Sequence, residues 1–366
     1  MDWYEIENID AVDSPALLIY KERVHENIRL LKSMKDVDLL RPHVKTNKIA
    51  EVCRMMLNEG ITKFKCATVA EAEMLAMINA PDVLLAYQPV GPKVNRLMQL
   101  VKTYPSTRFS CLIDDYNAAK NISEIFSSNN LALNVYIDLN VGMNRTGIEP
   151  TEKALKLFHD CNKLKGITIV GLHIYDGHIR DTNIAVRKRK TDEAFESAIK
   201  LAEQIHGLEQ KELQIVAGGS PTFPFHAERK NIECSPGTFV FWDWGYKNSL
   251  PDEPFDIAAV VISRVISIVD ENTLCTDLGH KSVAAENPLP RVHFLNAPDA
   301  EPVGQSEEHL VLKVEDTSLH KVGEVLYGVP VHICPTVALY EKAFVIENNK
   351  VVDEWRVVAR DRKINV

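Results

Sequence analysis

RPHVKTNK, residues Arg41 to Lys48, follows a short apolar run (Val37, Leu39, Leu40) and gives way to helical spacing at Ile49. An apolar strand, a polar tip and then a helix is the order of a βα unit, which puts a functional side chain at the unit's mouth. A lysine at the end of such a strand is partly desolvated, and neighbouring cations favour its neutral, nucleophilic amine. Lys45 is therefore the candidate nucleophile. The competing reading is a solvated charge after an ordinary strand.

Outward from this octapeptide, strand and helix signals alternate. ALLIY (16–20), LLRPHVK around Arg41, FKCAT (64–68), DVLLAYQ (82–88), RFSCLID (108–114), LNVYIDL (133–139), ITIVGLHIY (167–175) and LQIVAGG (213–219) are short and apolar throughout. Amphipathic stretches separate them, such as the one carrying Val24, Ile28 and Leu31. Strands covered on both faces read this way, and eight βα units is the count for a closed (β/α)8 TIM-type barrel. An open doubly wound sheet shares the periodicity, but no GxGxxG follows the first strand. Near residue 250 the helical stripes stop and β-rich stretches begin, among them DIAAVVISRVISIVD, NTLCTDLG and KAFVIENNKVVDEW. The expected organisation is an N-terminal segment (1–14), open to joining the β domain, a barrel (15–250) and an antiparallel β domain (251–366).

Composition narrows the class. With 366 residues, 45% hydrophobic and 25% charged, the chain resembles an ordinary globular enzyme. A net charge of −9 argues against nucleic acid, whose phosphates call for a basic surface. No apolar run approaches the roughly 20 residues that span a bilayer. The acidic start MDWYEIENID carries no apolar signal core, and seven scattered cysteines without a CxxC suit reduced thiols. A cytoplasmic protein is expected.

In a barrel, functional residues gather where strands end. Those positions hold His43 and Lys45; Asp138, Asn140 and Arg145; His173, Tyr175, Asp176 and His178; GGSPT (218–222); and SPGT (235–238). Glycines let backbone N–H groups approach a phosphate, and hydroxyls add donors without bulk, so the last two loops are candidate phosphate cradles. Each taken singly also reads as a plain turn. In GVPVHICPTVALYE (328–341), His332 and Cys334 stand two apart on an expected strand and project from one face. Imidazole and thiolate are a ligand pair for zinc, and two protein ligands leave positions open for substrate and water.

RPHVKTNK, the alternating barrel, MNRTG, GGSPT, SPGT and a late HxCPT together resemble the D-threonine aldolase and D-serine dehydratase family. These are metal-activated pyridoxal phosphate enzymes related to the alanine racemase barrel, of fold type III. The resemblance runs from DSPALLIY to HICPTVALY, with the motifs in the family's order. It implies Lys45 as the Schiff-base lysine, Arg145 facing the cofactor's phenolic oxygen or its lysine, and Tyr175 against the pyridine ring. By the same match Gly219, Ser220, Gly237 and Thr238 hold the phosphate, while His332 and Cys334 bind a divalent metal. The family's aldolases tend towards His and Asp as metal pair and its dehydratases towards His and Cys. Cys334 thus favours zinc over manganese or magnesium and makes dehydration a contender. The implied activity is retro-aldol cleavage of a D-3-hydroxy amino acid to glycine and an aldehyde. The alternatives are dehydration of D-serine or 3-hydroxyaspartate at the same site, amino-acid racemisation, which needs a second base and no metal, and a non-catalytic cofactor carrier. Related barrels set the β domain of one subunit against the barrel of another, so a homodimer is expected, with a small D-amino acid as substrate.

Overall fold

A computed structural model describes all residues, 1–366. The chain divides into two compact units: residues 1–30, 46–52 and 238–360 form one, and residues 31–45, 53–237 and 361–366 the other.

Strand β1 (Ala16–Tyr20) belongs to the first unit, and the second holds a parallel sheet. Its seven strands pair in chain order: β2 (Lys63–Cys66), β3 (Asp82–Leu85), β4 (Arg108–Ile113), β5 (Leu133–Leu139), β6 (Ile167–Ile174), β7 (Gln214–Ala217) and β8 (Ile232–Cys234). The ring is closed by the octapeptide's own entry. Leu40 pairs with Cys234 of β8, and His43 pairs with Lys65 of β2, both parallel. This eighth stave is irregular because Pro42 has no N–H; its carbonyl still accepts from Lys65 N at 2.9 Å. The TIM-type barrel is as expected, with two changes of membership. ALLIY is not a barrel strand, and Ile232–Cys234 is. LLRPHVK is not one continuous strand either: Val37–Leu39 is a 3-10 turn, capped by the Asp36 side chain. Periodicity marks ALLIY as buried on both faces, but a barrel and a covered mixed sheet bury a strand equally well.

Arg41 is fully buried rather than part of a polar tip. Its Nε is 2.6 Å from Glu233 Oε2 and its Nη1 is 2.6 Å from Asp82 Oδ1. Lys63 adds a bond of 2.5 Å to Glu233, and Arg108 pairs with Asp82. Lys63, Asp82 and Arg108 each begin a strand, so this cluster sits at the rim opposite the strand ends that carry the candidate site, where it braces the ring. Removing one partner of a buried pair strands the other charge. Arg41→Met is therefore expected to lower stability by about 3–5 kcal/mol in urea unfolding. A change under about 1 kcal/mol would show that the cluster does not brace the ring.

In the first unit β1 lies between β9 (Ala259–Ile268), antiparallel, and β15 (Lys342–Glu347), parallel. The sheet continues through β10 (Thr273–Thr276), β13 (Leu310–Lys313) and β12 (Glu301–Gln305) on one side and β16 (Lys350–Arg356) on the other. A branch of β14 (Val325–Pro330) and β11 (Val292–Phe294) leaves from β9. The β domain is thus mixed: the β1–β15 pair makes an otherwise antiparallel sheet parallel at one junction. No disulfide joins any of the seven cysteines. No helix is long and apolar enough to cross a membrane.

Candidate active site

In the barrel unit the ends of β5 and β6 converge on one aromatic ring. After β5, Asn140 Oδ1 accepts from Gly142 N and Asn144 N, both at 3.1 Å, and this folds the MNRTG loop back on itself. Gly147, at φ +96°, lies so close to Asn140 that a Cβ there would stand 2.7 Å from its amide nitrogen. The loop delivers Arg145, whose Cζ lies 4.7 Å from the ring centroid of Tyr175, the residue after β6. Lys45 Nζ is 5.7 Å from the same centroid, and so is Lys65 Nζ. A ring face attracts one cation, but three cations sharing a ring repel one another. Such a cluster is suited to an anionic ligand, or to a lysine that gives up its charge by bonding covalently.

The two glycine loops meet on the same unit. Gly237 N donates to Ser220 Oγ at 3.3 Å. Ser235 Oγ is buried and makes no hydrogen bond within the protein. Gly219 approaches Tyr175 so closely that a Cβ would stand 3.0 Å from ring Cε2. Behind these loops Asp176 ties the turn: Thr222 Oγ1 donates to its Oδ1 at 2.6 Å, and His226 Nε2 lies 2.7 Å from its Oδ2. Burial alone would raise the Asp176 carboxyl, but His226 and these bonds bring it below the usual carboxylate range. A buried hydroxyl with no partner, beside two small-residue loops, fits an anion such as phosphate.

Lys65 is a residue the strand pattern did not single out. It is buried in the barrel, with Nζ 3.4 Å from His173 Nε2. Burial first, and the neighbouring Lys45 second, push its pKa down to about 7. A lysine between Phe64 and Cys66 in an apolar strand was the available signal. His43, also buried, accepts from Lys45 N at 3.3 Å through Nδ1. Lys48 adopts φ +55°, and the helix begins at Ala50, one residue after the helical spacing expected from Ile49.

The first unit carries the His–Cys pair, and here the local structure differs from expectation. His332 and Cys334 are not on a strand. β14 ends at Pro330, and His332 caps a five-residue helix, Ile333–Val337. Pro335 falls within the first helical turn, where its missing N–H costs nothing. The side chains still meet. Burial opposes a charged His332, but bonds to Cys334 and Glu286 and the nearby Asp243 raise its pKa to about 9. Glu286 Oε1 is 2.5 Å from His332 Nδ1, which leaves Nε2 as the ring nitrogen not engaged by this carboxylate. Cys334 is the one cysteine of seven that is not buried. Its Sγ is 3.1 Å from Thr46 Oγ1 and 3.6 Å from Thr238 Oγ1. Thr46 follows Lys45 in the chain, and Thr238 follows Gly237. Asp243 accepts from Ile333 N at 3.2 Å, and burial pushes its carboxyl up to about 6. No three His, Cys, Asp or Glu side chains gather as a ready metal cage, so the pair alone would offer two ligands. A borderline-soft divalent ion with open positions fits that donor set.

Comparison with known proteins bears on these features together. Residues 19–243 match the family described as "Alanine racemase, N-terminal domain", and residues 258–346 match the "Putative serine dehydratase domain". A D-threonine aldolase from Arthrobacter sp is 26% identical over 359 residues, covering 95% of this chain and 93% of the relative. The crystal structure of D-threonine aldolase from Filomicrobium marinum superposes with a TM-score of 0.89 at 26% identity, covering 97% of each chain. D-threo-3-hydroxyaspartate dehydratase from Delftia sp. HT23 shares the fold, with a TM-score of 0.86 at 21% identity over 94% of this chain and 97% of that one. The chain belongs to the alanine racemase N-terminal domain family, in its branch of D-threonine aldolases and D-serine dehydratases, which are pyridoxal phosphate-dependent lyases of D-amino acids.

Proposed function

We propose that this protein is a pyridoxal phosphate- and metal-dependent lyase that cleaves D-3-hydroxy amino acids to glycine and an aldehyde, in the manner of D-threonine aldolase. The observation that carries the reading is the gathering of Lys45, Lys65 and Arg145 around the Tyr175 ring, in the unit that also brings GGSPT against SPGT. Lys45 is the covalent anchor, Arg145 pairs with the cofactor's oxygen, and Tyr175 offers its ring to the pyridine. Gly219, Ser220, Gly237 and Thr238 hold the phosphate, and the orphaned Ser235 hydroxyl supplies a further donor. When bound, pyridoxal phosphate supplies a sink for the electron pair left at the substrate's α-carbon. The Lys45 amine is the group that carries a proton to or from that carbon.

His332 and Cys334 would hold the divalent ion, with Glu286 engaging Nδ1 of the imidazole and leaving Nε2 to ligate. A thiolate ligand selects zinc over the harder manganese or magnesium. When bound, such an ion would supply a Lewis acid for a β-hydroxyl, and the fate of that oxygen divides two reactions. Loss of its proton lets the α–β carbon bond break; loss of the hydroxide from the β-carbon together with the α-proton, which the Lys45 amine takes, eliminates water. Cys334 in place of an acidic ligand supports the second reading, a D-serine or 3-hydroxyaspartate dehydratase on the same site. Seven thiols without a disulfide agree with a cytoplasmic setting, and we expect a homodimer acting on small D-amino acids.

Product analysis with D-threonine and D-serine tests the proposal. Glycine and acetaldehyde are expected from D-threonine. Ammonia and a 2-oxo acid instead would establish the dehydratase, and L-amino acid as the sole product would overturn both.

A further inference from the structure

Behind the GGSPT loop a chain of four side chains runs inward, and the scheme above assigns it no role. Arg229 stands at the outer end, with 17% of its side chain exposed and an ion pair to Asp192. Its Nη1 lies 2.5 Å from His226 Nδ1. His226 Nε2 lies 2.7 Å from Asp176 Oδ2, and Thr222 Oγ1 donates to Oδ1 of the same carboxylate at 2.6 Å. Gly219 N in turn donates to Thr222 Oγ1 at 3.3 Å. His226, Asp176 and Thr222 are buried, and the whole chain lies in the barrel unit.

The hydrogens along it run in one consistent direction. A guanidinium has no acceptor, so Arg229 donates to Nδ1, and the ring hydrogen is assigned to Nε2. Nε2 therefore donates to Asp176. Burial works against a charge on Asp176, but His226 and Thr222 hold its carboxyl below the usual range. An ionised carboxylate only accepts, so Thr222 gives its one hydrogen there and keeps lone pairs for Gly219 N. The loop is also shaped to the imidazole. Gly218 has φ +79°, and a Cβ on it would stand 2.7 Å from His226 Cδ2 and 3.1 Å from Thr222 Oγ1. Beyond Gly219, Ser220 Oγ accepts from Gly237 N, the bond that joins this loop to SPGT. His226 itself reaches no ligand, since it is fully buried with both ring nitrogens engaged.

We propose that His226 is a positioning residue for the phosphate cradle. Through Asp176 and Thr222 it holds the Gly219–Ser220 turn in register with SPGT, and so sets affinity for a ligand's phosphate, not for its ring. The inference rests on the reading of these two loops as a phosphate site. A histidine suits the place because one rigid ring accepts on one edge and donates on the other. An aliphatic residue there would leave the buried Asp176 carboxylate one donor short and the turn free to relax.

The test titrates pyridoxal phosphate, and pyridoxal without its phosphate, into cofactor-free wild type, His226→Leu and His226→Gln, read by visible absorbance. Each variant is compared with wild type for each ligand, so the intrinsic difference between the ligands cancels. His226→Leu is expected to weaken pyridoxal phosphate about tenfold or more, the scale of one hydrogen bond to a charged group, and pyridoxal by less than about threefold. His226→Gln keeps an N–H for Asp176 and should stay within about threefold for both ligands. Equal losses for the two ligands would make His226 a general support of the barrel and overturn the proposal. No loss for either ligand, or a glutamine variant as weak as the leucine one, would overturn it too. If His226→Leu does not fold, Asp176→Asn takes its place. The amide is isosteric but offers one oxygen where the chain uses two, so the same phosphate-selective loss is expected, and its absence overturns the proposal. A wild-type protein that takes up neither ligand removes the functional reading itself. One that binds both alike removes the phosphate site, and this inference with it.

Discussion

Lys45→Ala is expected to abolish the visible absorbance of the pyridoxal phosphate-loaded protein and to lower turnover by about 10⁴-fold or more. Lys45 carries two duties in the proposed scheme: it is the covalent anchor, and it moves the proton at the α-carbon. No neighbour replaces it. Arg145, the closest cation to the Tyr175 ring, stays protonated and cannot form the bond. Lys65 is an amine, but its Nζ is engaged by His173 deep in the barrel. Lys48→Ala serves as the contrast, since this lysine adopts a left-handed backbone and its carbonyl accepts from Ala359 N at 3.2 Å. That variant should keep the spectrum. An unchanged spectrum in Lys45→Ala would refute the cofactor assignment.

The second large effect concerns the His–Cys pair. Cys334→Ala and His332→Ala are each expected to retain the cofactor spectrum, lose bound metal, and lose turnover by about a hundredfold or more. Removing Cys334 leaves one imidazole, which holds a divalent ion poorly, while the hydroxyls of Thr46 and Thr238 are weak ligands by themselves. Cys334→Asp separates ligation from identity. A carboxylate keeps two ligands but hardens the set, so metal preference should move from zinc towards manganese or magnesium. Elemental analysis and activity after chelation and re-addition of each ion read this out. Full turnover in metal-free Cys334→Ala would remove the metal from the mechanism.

Much of the architecture was legible in local pattern. Continuous apolar runs such as ITIVGLHIY, separated by amphipathic stretches, encode strands buried on both faces, and the loss of helical stripes near residue 250 encodes the β domain. The candidate residues were legible as well, because polar side chains at strand ends have few roles in a barrel. Arg145 and Tyr175 do meet, and so do the GGSPT and SPGT loops. His332 and Cys334 also meet, although by way of a helix cap instead of the alternation of a strand. Pro335 belongs equally well after a strand or inside a first helical turn, and the choice between them is made by neighbours.

By itself, the sequence determined the kind of protein, a barrel of parallel strands with a β domain, and marked out Lys45, two glycine loops and a His–Cys pair as candidates. Those are properties of residue type and short spacing. Only the tertiary structure decided which strands close the ring, since β1 is as apolar as any barrel strand, β8 is three residues with Glu233 at its centre, and hydrogen-bond partners far apart in the chain select between them. It also decided the fate of the charges. Arg41 and Lys65 look alike in sequence as basic residues beside apolar ones. Glu233 and Asp82 make the first a brace, while His173, Lys45 and burial make the second a titratable amine beside the Tyr175 ring. The meaning of a charge lies in what desolvates and pairs it, and those partners arrive only with the fold.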